Sequence, residues 1–112
     1  KNFVKKTSIE IKKFEKNSEI INFGHLGDNN LHFNVLINSL NSHSKKFMIK
    51  SINRIVFDNV NKFGGVISAE HGIGQLRKSE LKLHKNQEEI NKMRVLKSIF
   101  DPNNILNPGK VI

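Results

Sequence analysis

The chain has no cysteine, no tryptophan and no tyrosine, and only three arginines, Arg54, Arg77 and Arg94. The absence of cysteine excludes disulfides, thiolate metal sites and a cysteine nucleophile, which leaves imidazole and carboxylate as the available metal ligands. No stretch approaches the roughly eighteen consecutive apolar residues needed to cross a bilayer. No Gly-x-Gly-x-x-Gly dinucleotide fingerprint occurs. The chain starts Lys1-Asn2-Phe3-Val4, without an initiator methionine, an apolar signal region or a cleavage site.

What is abundant is lysine. A net charge of +9 and a pI near 10.0 ordinarily suggest nucleic acid or an anionic membrane as partner. Here the charge is spread along the sequence among many Asn and Ile residues, a mixture that low-GC codon usage produces. Bidentate phosphate recognition favours arginine, and stacking on bases needs aromatic platforms, whereas the eight Phe fall mostly at core-like spacing. A solvated basic surface is the expectation, with no nucleic-acid partner, and part of the charge can steer small anionic acids toward a site.

Two segments carry the chemistry. In Gly24-His25-Leu26-Gly27-Asp28-Asn29-Asn30-Leu31-His32-Phe33-Asn34, Ser18 to Phe23 and Leu31 to Ile37 read as strands, with Leu26 to Asn30 as the turn between them. With a period of two, Phe33, Val35 and Ile37 share one face, and His32, Asn34 and Leu36 the other. His25, just before the turn, then lies near His32, and two such imidazoles can bind one ion. The plainer alternative makes each histidine a hydrogen-bonded turn or strand residue. The second segment, Ser68-Ala69-Glu70-His71-Gly72-Ile73-Gly74, follows the short buried-strand signal Gly65 to Ser68. It sets a carboxylate beside an imidazole, suited to a metal ligand next to a proton acceptor. Its alternative is a Glu70–lysine pair in a loop shaped by glycines.

These stretches, followed by Phe100-Asp101-Pro102-Asn103-Asn104-Ile105-Leu106-Asn107-Pro108-Gly109-Lys110-Val111, resemble the C-terminal domain of FAD-linked 2-hydroxyacid dehydrogenases. That group contains D-lactate dehydrogenase, the glycolate oxidase FAD subunit and D-2-hydroxyglutarate dehydrogenase. The resemblance runs from about Ile20 to the last residue. It implies that His25, His32 and Glu70 hold a divalent metal, zinc or manganese before others. It further implies that His71 is the general base beside the substrate α-carbon, that Asn34 contacts the substrate carboxylate or the metal shell, and that Asn107 lies against the flavin. One departure is Asn29, where the family usually has glycine; asparagine tolerates the left-handed backbone, so the turn is expected to survive.

A chain of 112 residues is expected to form one domain, too short to include a flavin-binding domain as well. The resemblance places that domain N-terminal to this one, so the chain reads as the last part of a longer protein, left by deliberate truncation, proteolysis, a split gene or gene decay. Its partners would be the FAD-binding domain or subunit and a small 2-hydroxy acid. Severed from that domain it is expected to self-associate through an uncovered apolar face. A cytoplasmic location is expected, with peripheral attachment to the inner membrane as the variant.

The remaining periodicity gives a helix over Asn2 to Lys16 with Phe3, Thr7, Ile11 and Phe14 on one face. It gives a second over Ser44 to Lys62 with Phe47, Met48, Ile52, Ile55, Val56 and Val60, after a polar connector from Ser39 to Ser44. A last helix spans Gln87 to Phe100, with Ile90, Met93, Leu96 and Phe100 facing in, stopped by Asp101-Pro102. His84 reads as part of a lysine-rich loop. The fold class is α+β, an antiparallel sheet of the hairpin plus the Gly65 to Ser68 strand with helices packed on one face. The expected function is flavin-dependent oxidation of a D-2-hydroxy acid to the 2-oxo acid, with the chain inactive by itself. The alternatives are a noncatalytic remnant or subunit that binds metal or a partner protein, and a small basic nucleic-acid module.

Overall fold

A computed structural model describes residues 2–38 and 42–112, apart from the side chains of Leu26, Ser42 and His43. The chain resolves into two compact units, Lys1–Val66 and Ile67–Ile112. The fold is α+β, four helices and a two-stranded antiparallel sheet among the described residues.

In the first unit, α1 (Asn2–Phe14) presents Phe3, Thr7 and Ile11 at intervals of four, and Thr7 and Ile11 are fully buried. It packs on α2 (Ser42–Lys62), whose buried residues are Ile52, Phe57 and Asn59. Asn59 is polar and buried because its amide nitrogen donates to the Glu10 carboxylate at 2.5 Å and to the Ile55 carbonyl at 3.1 Å, which joins the two helices. Phe47 does not belong to this core. It is 65% exposed, and Phe57 and Asn59 take the inward positions instead. Of the polar connector, residues 39–41 lie outside the described residues, and α2 already begins at Ser42.

The sheet pairs β1 (Glu19–His25) with β2 (Asn30–Leu36) in the register Ile20↔Val35, Phe23↔His32 and His25↔Asn30, closed by a single 3-10 turn at Leu26–Asp28. One face carries Ile20, Phe33 and Val35, all half-buried. Phe3 of α1 meets the Phe33 ring edge-on at 6.0 Å and the Phe63 ring at 5.8 Å. A helix therefore covers one face of the hairpin.

The expected strand at Gly65 to Ser68 is not formed: these residues belong to no sheet, and Val66 is 67% exposed. The paired glycines end α2 instead. Gly64 adopts φ 68°, its amide donates to the Asn61 carbonyl, and the Gly65 amide reaches back to Val60, the wrap-around that closes a helix C-terminus.

The second unit holds α3 (Lys78–His84) and α4 (Gln87–Phe100) around buried Leu81 and Ile90. The loop expected around His84 is thus the end of a short helix. Asn86 caps α4 by accepting from the Glu89 amide, while the Glu89 carboxylate accepts from the Asn86 amide. The inward stripe of α4 differs from the expected one: Leu96 and Phe100 are 55% and 79% exposed. The protected line is Ile90, Met93, Lys97 and Asp101, because the Lys97 ammonium bonds both the Asp101 carboxylate and the Leu106 carbonyl. No helix among the described residues is long and apolar enough to cross a membrane.

Candidate metal centre and substrate site

The hairpin face opposite α1 carries His25, Phe23 and Ile21 from β1, and Asn30, His32, Asn34 and Leu36 from β2, as a two-residue period on the observed register requires. His25 and His32 are brought together. Their ring centroids lie 6.1 Å apart at an interplanar angle of 68°, and a ring nitrogen of each lies within 4.8 Å of the other. His32 is half-buried and His25 exposed. Asn34 is exposed on the same face, opposite Ile21.

Two local features make the mouth of the hairpin tight. A Cβ on Gly24 would lie 2.1 Å from the Asn30 carbonyl oxygen, so only glycine lets the strands close here. Asn29 adopts φ 52°, the left-handed turn position that asparagine tolerates, so the departure from glycine leaves the turn intact.

The Glu70 and His71 segment belongs to the second unit. Both side chains are exposed. The Ser68 hydroxyl donates to the Gly72 carbonyl at 2.8 Å and closes a short loop around them, while Gly72 and Gly74 supply φ 75° and 54°. The C-terminal run is tied to the same loop. The Val111 amide donates to the Gly74 carbonyl at 2.8 Å and the Lys78 ammonium to the Gly109 carbonyl at 3.1 Å. Asn107, exposed and at φ 49°, opens the turn closed by the Lys110 amide on its carbonyl.

Sequence reasoning missed two structural supports. Phe23 stacks on His32, with centroids 4.7 Å apart and planes 9° from parallel. The signal was present in the alternation, since Phe23 shares a face with His25. Asp101, read only as a helix stop, is buried and accepts from the Ile105 and Leu106 amides at 2.9 and 3.0 Å. The Lys97 ammonium bonded to it, with those two amides, holds its carboxyl below the usual carboxylate range.

The side chains available as divalent-cation donors are the imidazoles of His25 and His32 on the hairpin and, in the second unit, the carboxylate of Glu70 and the imidazole of His71. The chain is 38% identical over 110 residues to a D-2-hydroxyglutarate dehydrogenase of Stutzerimonas stutzeri, covering 97% of this chain and 24% of that protein. It is 44% identical over 95 residues to a D-lactate dehydrogenase of Archaeoglobus fulgidus, covering 84% and 20%. With the glycolate oxidase subunit GlcD of Bacillus subtilis it shares 38% identity over 92 residues, covering 82% and 19%. The chain thus spans a quarter or less of the length of these relatives. The family model of the C-terminal domain of FAD-linked oxidases matches residues 1–111. Hairpin, glycine-shaped loop and C-terminal turn occur together in a chain that belongs to the family of FAD-linked oxidase C-terminal domains.

Proposed function

We propose that this chain forms the substrate and metal side of a FAD-linked enzyme that oxidises a D-2-hydroxy acid, of the lactate, glycolate or 2-hydroxyglutarate type, to the 2-oxo acid. The observation that carries the reading is the His25–His32 pair, two imidazoles held at one hairpin mouth on the face that α1 leaves open. His25, His32 and Glu70 would hold the divalent cation, zinc or manganese, a donor set of nitrogen and oxygen that suits either. When bound, the cation supplies Lewis acidity toward the hydroxyl and carboxylate oxygens of the substrate. FAD, held mainly by another domain or subunit, supplies the redox chemistry.

The chain's own residues do the rest. His71 accepts the hydroxyl proton at an imidazole nitrogen as the substrate is oxidised, and its exposure gives that proton a way to solvent. Asn34 donates a side-chain N–H to the substrate carboxylate. Asn107 and its turn form one wall against the flavin. The exposed apolar row Val95, Leu96, Ile99 and Phe100 on α4, with Ile105 and Leu106 beyond it, supports docking onto the flavin-binding domain or subunit, and self-association when that partner is missing.

Calorimetric titration of the chain with D-lactate, glycolate and D-2-hydroxyglutarate, with and without zinc, tests the substrate class. The expected result is binding that needs zinc and is weakened by Asn34→Ala, with the matching acids that lack the hydroxyl bound more weakly. Equal binding of hydroxy and deoxy acids would contradict the proposal.

A further inference from the structure

We infer that Phe23 is a positioning residue, whose ring fixes the plane of the His32 imidazole so that it meets a cation together with His25; the inference rests on the metal reading above. Phe23 and His32 are directly opposed in the ladder, and their rings lie flat against each other at 4.7 Å and 9°. Burial does not explain the placement of Phe23, which is 55% exposed on the open face of the hairpin. A phenylalanine that served only the core would sit on the other face with Phe33, where Phe3 meets it.

The physical need is orientation. Rotation about the bond that joins an imidazole ring to its Cβ is broad, so on an open strand face the ring plane sweeps a wide range. A flat partner ring restricts that range, and offset stacking is a favoured arrangement of two aromatic rings. With the plane of His32 fixed, the His25 ring stands at 68° to it, with a ring nitrogen of each within 4.8 Å. Two imidazoles so crossed can direct lone pairs toward one point, which a His32 ring turned to another plane would not do. Gly24, between Phe23 and His25, allows the strands to close enough for this opposition, since its missing Cβ makes room for the Asn30 carbonyl. Pre-orientation of a ligand raises affinity by reducing the ordering cost of binding.

Two measurements on the full chain decide the matter. The first is NMR of the His32 ring. Through-space contacts between the Phe23 and His32 ring protons, and upfield His32 ring signals that move downfield in Phe23→Leu, are expected. Their absence in the unsubstituted chain overturns the inference whether or not any metal binds, so its failure is separable from failure of the metal reading. The second is zinc titration. Phe23→Leu should raise the zinc Kd about three- to tenfold, the size expected for one aromatic stack. Phe23→Tyr, which keeps the flat ring, should restore it, and Phe23→Leu should add nothing once His32 is already alanine. An unchanged Kd in Phe23→Leu, or an equal loss in the His32→Ala background, overturns the positioning role.

Discussion

The Val111 amide donates to the Gly74 carbonyl at 2.8 Å, which binds the C-terminal turn to the loop that carries Glu70 and His71. Two motifs more than thirty residues apart in the sequence are thereby parts of one structure, and the Lys78–Gly109 bond holds them a second time. Val111 adopts φ 64°, a position that costs a β-branched residue on the order of 1–3 kcal/mol, so its neighbours must hold it there. Lys78→Met should therefore speed hydrogen exchange at the Val111 amide while leaving amides of α1 unchanged. Unchanged exchange at Val111 would show that the Lys78 bond contributes nothing to the tie.

The hairpin mouth should respond sharply to backbone chemistry. Gly24→Ala places a carbon 2.1 Å from the Asn30 oxygen and should cost more than about 2 kcal/mol in urea unfolding. At Asn29, with φ 52°, Val should cost about 1–2 kcal/mol and Gly should be tolerated. A fully stable Gly24→Ala variant would mean that the strands close differently.

Acid should loosen the C-terminal turn. The carboxyl of Asp101 titrates below its ordinary 3.8 in the folded chain, first because of the Lys97 hydrogen bond. A carboxylate depressed in this way contributes stability above the unfolded value, and loses it as pH falls through the folded one. Asp101→Asn should thus lower Tm by roughly 5 °C at pH 7, and the gap from the unsubstituted chain should close as pH falls below 3.8. A gap that does not narrow at all as pH falls below 3.8 would assign the effect to packing alone.

The purified chain should be colourless and without dehydrogenase activity, because Asn107 and its turn offer at most one wall of a flavin site. A stoichiometric flavin absorbance band from the chain alone would contradict this.

The net charge of +9 should give only weak binding to DNA or RNA at low salt, removed at physiological salt. A complex that survives 150 mM salt with Kd near 10⁻⁸ M, the range of specific complexes, would overturn the reading of a solvated surface.

How far the sequence carried the fold depended on whether one local pattern decided the outcome. The hairpin was legible because alternation and turn chemistry agree, and α4 was legible over Gln87–Phe100 because its apolar periodicity stops at Asp101-Pro102. Gly64 and Gly65 misled, since glycine at a helix C-terminus and glycine before a strand look alike until the Gly65–Val60 hydrogen bond is seen. α3 is seven residues long, less than two full turns, too short for periodicity to declare itself. On α4 the apolar stripe pointed to Leu96 and Phe100, but a lysine, bonded to Asp101 and Leu106, took the protected side. At the candidate site, the histidine pair followed from spacing. The Phe23 stack required the observed register, which puts Phe23 opposite His32 rather than one residue away.

Zinc and manganese titration by calorimetry, across single alanine variants of His25, His32, Glu70, His71 and His84, tests the proposed metal centre most directly. The unsubstituted chain should bind one equivalent weakly. His25→Ala, His32→Ala and Glu70→Ala should each raise Kd at least tenfold, a loss of about 1.4 kcal/mol or more. His71→Ala, which removes the proposed base, and His84→Ala, at the end of α3, should change Kd less than about twofold. A loss from His84→Ala equal to that from His32→Ala, or no binding by the unsubstituted chain, would contradict a centre built from the hairpin histidines and Glu70.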